Sequence, residues 1–323
     1  MAALLFQGWT KIEQQKNVPP GWMIIRPPGE VTCLVPDGDQ IWAGGRDGIS
    51  HVDRLTGKLL SPPGDEPRFE FVHAILKSTT GAVWVAHDGG VAVFEKGTWT
   101  SYGGKNGVPF GRAYSLAEDK DGTILVGALG CIARWQAGRW NVESMEDEGL
   151  PDEINVLFFD HSGRLWAGSR SPFRGGLRLR EDGKWKTFDA SLGLPHPAVN
   201  SVLQDGDGTI WIGTGFSDHG GAARMSPGES RLTQFHLEQN WEGIKVLSLY
   251  EDTASRMWIG LEYDGVLVFD GAKWKRIAPG EGLAGKEVKV VRQDAAGVFW
   301  LGTSGGLSRF DESKGFIDPK KTQ

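Results

Sequence analysis

One unit, repeated seven times, makes up this chain, and the repeat limits the fold more than any other feature. Its clearest copies read L-F-F-D-H-S-G-R-L-W-A-G at 157–168, V-L-Q-D-G-D-G-T-I-W-I-G at 202–213 and V-R-Q-D-A-A-G-V-F-W-L-G at 291–302, with weaker copies at 34–44, 75–86, 116–127 and 249–260. The anchor position holds Asp37, Ser78, Asp119, Asp160, Asp205, Asp252 and Asp294, so the spacings are 41, 41, 41, 45, 47 and 42 residues. A period of this length admits a solenoid, an array or a propeller. The content of the unit decides among them. Each unit has four short runs rich in Val, Ile, Leu, Phe and Trp, separated by Gly, Asp and Asn turns; in the fifth they are V-N-S-V-L, T-I-W-I-G, G-A-A-R-M and R-L-T-Q-F. No useful length shows helical periodicity. Four antiparallel strands make a blade and seven blades close a ring, so the expected fold is all-β, a seven-bladed β-propeller occupying 1–323 as a single domain.

The D-G-D-G at 205–208 could be read as a cation loop. A calcium loop of the EF-hand kind needs oxygen ligands at alternate positions and a bidentate Glu at its twelfth. Here the chain turns into T-I-W-I-G, which offers none. The recurrence of the anchor in every unit assigns it to a turn between two strands, with Asp accepting backbone N–H groups and Gly supplying positive φ. The six Trp of the second runs (Trp42, Trp84, Trp166, Trp211, Trp258 and Trp300) are read as apolar wedges between blades.

Composition fits this and excludes some functions. With 39% hydrophobic residues the chain can bury a large core, and 47 Gly with 14 Trp suits many tight turns around large packing groups. A net charge of −6 argues against nucleic acid as a partner, because phosphate binding needs clustered cations. No run of 18 apolar residues is present, so no membrane span is expected. The opening M-A-A-L-L-F-Q-G lacks the basic and apolar regions of a signal peptide, and Cys33 and Cys131 read as reduced, buried thiols; the expectation is a cytoplasmic monomer.

Ring closure is also legible at the ends. The segment F-Q-G-W-T-K-I-E-Q-Q-K-N-V-P-P-G is like the fourth strand and exit loop of unit four, so residues 1–14 are expected to supply the outer strand of the last blade, 288–323. The competing reading puts 315–318 there, although Pro319 cuts that run short.

The repeats V-N-S-V-L-Q-D-G-D-G-T-I-W-I-G-T and V-K-V-V-R-Q-D-A-A-G-V-F-W-L-G-T-S-G-G-L-S-R-F resemble the two-component regulator propeller repeat through almost the whole chain. That resemblance implies a propeller of the kind that forms the extracytoplasmic ligand-sensing part of sensor proteins. More distantly, the G-x-I-W strands are similar to those of the virginiamycin B lyases, seven-bladed and magnesium-dependent enzymes.

Function is expected where the repeat is irregular. The turns between first and second strands are short and uniform, whereas the loops between second and third strands vary, and loops on a rigid scaffold carry binding groups. Those loops bring Arg170 and Arg174, Phe216 and His219, and Glu262, Tyr263 and Asp264 to one face. The second position of each first strand, at constant register, lines the channel mouth with Thr32, His73, Tyr114, Asn155, Asn200, Leu247 and Lys289, and the entry loops add Trp22, Arg68, Arg112, His196, Trp241, Glu242 and Lys286. A concave mouth with convergent polar groups and a few aromatics is the default ligand site. Its expected occupant is a small molecule or peptide. The alternative is a metal-dependent lyase or hydrolase at the same mouth, with a divalent cation (Mg, Ca or Zn) held by His73, His87, His219 and Asp264. No H-E-x-x-H spacing supports that set. Arg170 and Arg174 could bind a carboxylate or simply be solvated. Asp47 and Asp88, each before a Gly, read as turn residues.

Overall fold

The structure, a computed structural model, describes residues 18–103, 110–144, 153–235 and 244–314. Seven four-stranded antiparallel sheets account for nearly all the regular structure. In six of them the strands follow chain order, as in Ile154–Phe159, Leu165–Ser169, Gly176–Glu181 and Lys184–Phe188 of blade 4. The inner strands touch in sequence around the molecule, and Cys33–Asp37 of blade 1 packs on Val288–Gln293 of blade 7, which closes the ring.

Sheet stacking explains the residue pattern. A second strand has a blade on each side, so Leu165–Ser169 and Phe299–Thr303 are buried along their whole length and read as continuous apolar runs. Outer strands such as Thr98–Tyr102 are exposed or half-buried throughout. Trp42, Trp166, Trp258 and Trp300 are completely buried. The Gly two residues beyond the Trp lets the next blade approach: a Cβ on Gly213 would meet Val246 at 2.6 Å, and one on Gly302 would meet Val31 at 2.6 Å.

The repeated Asp does more than shape its turn. Asp205 Oδ1 accepts from the backbone N–H groups of Asp207 at 3.1 Å and Thr209 at 2.8 Å, while its Oδ2 accepts from the indole of Trp211 at 2.7 Å. The same three-way bond recurs at Asp160 with Trp166, Asp252 with Trp258 and Asp294 with Trp300. Each carboxylate therefore satisfies two turn donors and the indole N–H of the adjacent wedge. A second set of bonds joins turns between blades. Glu118 accepts from Thr79 N–H, Gln204 from His161 N–H, Glu251 from Gly206 N–H and Gln293 from Thr253 N–H, in each case reaching back to the preceding blade. This girdle and the three-way bonds give the D-G-D-G stretch a structural account.

Closure by the N-terminal side of the chain is observed, but with other residues than expected. Trp22–Ile25 pairs antiparallel with Gly306–Phe310 as the outer strand of blade 7. Residues 1–14 and 315–318 lie outside the described residues. Trp22 stacks on Phe310 with centroids 4.3 Å apart, Ile25 is buried, and Arg26 donates to the carbonyls of Gly305 and Ala284. The physical reason is the length of the exit loop. Outer strands end at Phe188, Phe235 and Ile277, and the next inner strands begin at Val199, Val246 and Val288, so the partner of an inner strand starting at Cys33 must end close before it. Trp22 consequently belongs to the closure and not to the channel mouth.

Candidate functional site

A β-bulge aims the channel residues. In six blades the register between first and second strands shifts by one residue, between Val72 and Ala74, Ala113 and Ser115, Ile154 and Val156, Val199 and Ser201, Val246 and Ser248, and Val288 and Val290. The odd residue in each is His73, Tyr114, Asn155, Asn200, Leu247 or Lys289. A bulged residue is released from the ladder and its side chain can be redirected. Because the bulge recurs around the ring it belongs to the architecture, while the chemistry at each place differs.

These six side chains and Thr32 line one cavity of about 460 Å³ at the channel mouth, together with Glu30, Arg46, Phe71, Arg170, Gly215, Phe216, Lys245 and Glu287. Every blade contributes. Glu30, Phe71, Lys245 and Glu287 stand two residues before Thr32, His73, Leu247 and Lys289, so the period of two along a strand repeats the ring as a second tier. Sequence reasoning stopped at the first tier, and extending the alternation by one step finds the second.

Part of the ring's polarity is structural. The side chains of Thr32, Asn155 and Asn200 donate to the carbonyls of Val72, Val199 and Val246, at 2.7, 2.9 and 3.0 Å, in each case on the next blade. Each of those carbonyls precedes a bulge. The polar residue thus ties two blades together as well as facing the cavity. Asn200 also donates to Gly215 O at 2.9 Å, which holds the long loop of blade 5.

The ionisable groups form short chains. Glu30 is held by Arg46 at 2.8 Å and by Lys289, which also reaches Glu287 at 3.1 Å; these cations keep the Glu30 carboxyl below its ordinary range although burial opposes them. Lys245 pairs with Glu262 at 2.8 Å. His73 Nε2 bonds Asp88 at 2.7 Å, and Arg112 meets the same carboxylate at 2.9 Å. Asp88 is therefore a second partner at the site and not only a turn residue. Burial lowers the His73 pKa despite the Asp88 bond, and the nearby charges of Arg170 and Arg112 act in the same direction. Bonded to an acceptor, Nε2 of the neutral ring carries the proton, which leaves Nδ1 as an acceptor. Phe71 stacks on His73 at 4.7 Å, and Tyr114 follows at 5.2 Å. The Tyr114 hydroxyl lies 3.5 Å from Glu153. Among the described residues, Arg170 is the one charged side chain lining the cavity that has no ion-pair partner.

The remaining expected residues separate from this cluster. Arg174 is exposed outside the cavity. His219 pairs across its hairpin with Phe216, Tyr263 lies under Lys286 at 4.6 Å, and Asp264 is tied to Arg276 at 2.8 Å. His87 turns away, accepting from Gly89 N–H at 3.0 Å with its ring edge on Phe69. Trp241 and Glu242 lie outside the described residues. Among the described residues no three His, Cys, Asp or Glu side chains converge as metal ligands. Both cysteines are free and buried, and burial raises the Cys33 pKa to about 12, where the thiol is unreactive. No helix among the described residues is long and apolar enough to cross a membrane.

Comparison with known proteins agrees with the fold. Residues 193–216 match the model of the two component regulator propeller family. No curated protein matches the chain in sequence. Among solved structures, the extracellular domain of a protein assigned as a hybrid two-component system from B. thetaiotaomicron superimposes with a TM-score of 0.76 at 17% identity, over 92% of this chain and 42% of that one. The extracellular domain of a protein assigned as a one-component system from the same organism gives 0.73 at 18% identity, over 90% of this chain and 40% of that one. This chain thus spans about two fifths of the length of those domains. Virginiamycin B lyase from Staphylococcus aureus gives 0.68 at 14% identity, over 90% of this chain and 98% of the lyase. The chain is a seven-bladed β-propeller, of which residues 193–216 match the two component regulator propeller family.

Proposed function

We propose that this protein is a sensor-like binding module that takes a small molecule or peptide at the mouth of its channel. The observation that carries the reading is the bulge position: one structural slot, repeated around the ring, presents imidazole, phenol, amide, alkyl and ammonium groups to a single cavity. Folding needs the slot but does not need its contents to differ. The aromatic face of Phe71, His73 and Tyr114 beside fixed ion pairs supplies the apolar wall and few oriented polar groups that small-molecule sites use. Similarity to extracellular sensor domains supports the same reading and favours a place outside the cytoplasm, against the expectation from the N-terminus. The lyase alternative rests on the shared fold alone, which does not carry function.

The test is a fragment screen by thermal shift on the full chain, with Leu247→Trp as control. Leu247 lines the cavity, and an indole there fills the mouth. Compounds that raise the melting temperature of the wild type should lose their effect on the variant, whose own melting temperature stays near wild type. Hits that persist in Leu247→Trp would place binding elsewhere.

A further inference from the structure

The charges around the mouth point to the chemical class of its ligand, an inference that rests on the binding reading above. Four cations (Arg46, Arg170, Lys245 and Lys289) and two carboxylates (Glu30 and Glu287) line the cavity. Three of the four cations are already engaged. Arg46 and Lys289 share Glu30, Lys289 also holds Glu287, and Lys245 holds Glu262 just outside the lining. Arg112, beside the cavity, is engaged by Asp88. Arg170 is left over, with no carboxylate in reach among the described residues, although its charge is felt at His73.

Two further features lie next to it. The aromatic run Phe71, His73 and Tyr114 offers a flat apolar wall on blades 2 and 3. The bond from Nε2 to Asp88 fixes the neutral tautomer of His73, so Nδ1 is an acceptor with no partner among the described residues. A guanidinium fork prefers a planar carboxylate, which it can grip through two parallel hydrogen bonds. A lone cation also argues for a single negative charge, since a second would oppose the carboxylates of Glu30 and Glu287.

We infer that the mouth binds a small monocarboxylate bearing a ring and a hydroxyl, with its carboxylate on Arg170, its ring against Phe71, His73 and Tyr114, and its hydroxyl donating to Nδ1 of His73. The paired cations keep their partners and act as a fixed wall. No covalent step is involved.

Acids matched with neutral counterparts test this on the full chain: 4-hydroxybenzoate against 4-hydroxybenzamide, and glucuronate against glucose. Calorimetry at about 10 mM ligand registers a Kd of about 1 mM, and the His73 ring resonances report the site. The acids should bind at least about tenfold more tightly than their neutral counterparts, the factor that 1.4 kcal/mol produces. Arg170→Gln should remove that preference with little change in melting temperature. His73→Phe, which keeps the ring but lacks the acceptor, should weaken 4-hydroxybenzoate while leaving benzoate unchanged. If amide and acid bind alike and both shift the His73 resonances, the mouth is a binding site but the charge assignment is wrong. If no acid binds, or acids still bind equally well in Arg170→Gln, the inference falls. Binding that leaves His73 undisturbed would overturn the site itself.

Discussion

Trp258 donates its indole N–H to Oδ2 of Asp252 at 2.8 Å, while the other oxygen of that carboxylate holds the backbone of the intervening turn. Wedge and turn are therefore one unit, and losing the carboxylate strips two turn N–H groups, the indole N–H and Nε of Arg256 of their acceptor. Asp252→Ala, Asp205→Ala and Asp294→Ala should each lower stability in urea by about 1–3 kcal/mol, the cost of leaving buried donors unpaired. The three should behave alike and be indifferent to calcium. Calcium-dependent stabilisation lost in one of them alone would return that Asp to a metal-binding role.

Closure of the ring depends on how Trp22 seats. A Cβ placed on Gly282, which has φ of +108°, would collide with the Trp22 indole. Trp22→Ala should cost about 1–3 kcal/mol through the lost stack on Phe310 and the lost apolar contact. Gly282→Ala should also destabilise, and the double variant should lose less than the sum of the two, because removing the indole relieves the collision and leaves only the backbone strain of the positive φ. Strict additivity in chemical denaturation would show that the two sites do not share this contact.

Among the polar ring residues, Asn200 carries a structural duty that Arg170 does not. Asn200→Ala abandons the carbonyls of Gly215 and Val246 and should lower stability by about 1 kcal/mol or more. Arg170→Gln, on an exposed loop, should stay within about 0.5 kcal/mol of wild type. Equal melting temperatures for both variants would deny the inter-blade role of Asn200.

Acidity should weaken the fold through its histidines. Burial holds His73, His87 and His196 below their ordinary value. In the unfolded chain they titrate near 6.5, so between that pH and the lower folded values the unfolded state binds more protons. Their contribution to stability is thus complete above about pH 6.5 and is lost as the pH falls toward the folded values. Urea midpoints measured from pH 7.5 to 5 should fall, with a shallower slope in His73→Gln. A slope unchanged by that substitution would remove His73 from the account.

The fold was legible because a repeat reports itself seven times, and the channel ring because constant spacing from Asp37, Asp205 and the other anchors carries the register with it. Less visible were features that need two distant segments at once. Nothing in the run around Asp88 shows that it meets His73 and Arg112, and nothing local to Glu262 shows Lys245. The outer strand of blade 7 was misplaced because G-W-T resembles the start of another outer strand, whereas loop length and the Phe310 stack select Trp22–Ile25. The four proposed metal ligands share a face in sequence terms, yet Asp264 is claimed by Arg276 and His87 by its own loop.

The bulge that releases His73, Tyr114, Asn155, Asn200, Leu247 and Lys289 from their ladders has a bearing on how such a protein can change. An ordinary strand residue cannot be exchanged without disturbing a cross-strand neighbour. A residue that faces no partner can be, provided it is not also one of the blade-to-blade ties. The ring therefore behaves like a dial with settable positions. Leu247, clear of ion pairs and blade-to-blade bonds, is the setting free to move, whereas His73, Tyr114 and Lys289 can be reset only together with Asp88, Glu153 and Glu30, while the frame that holds them stays the same.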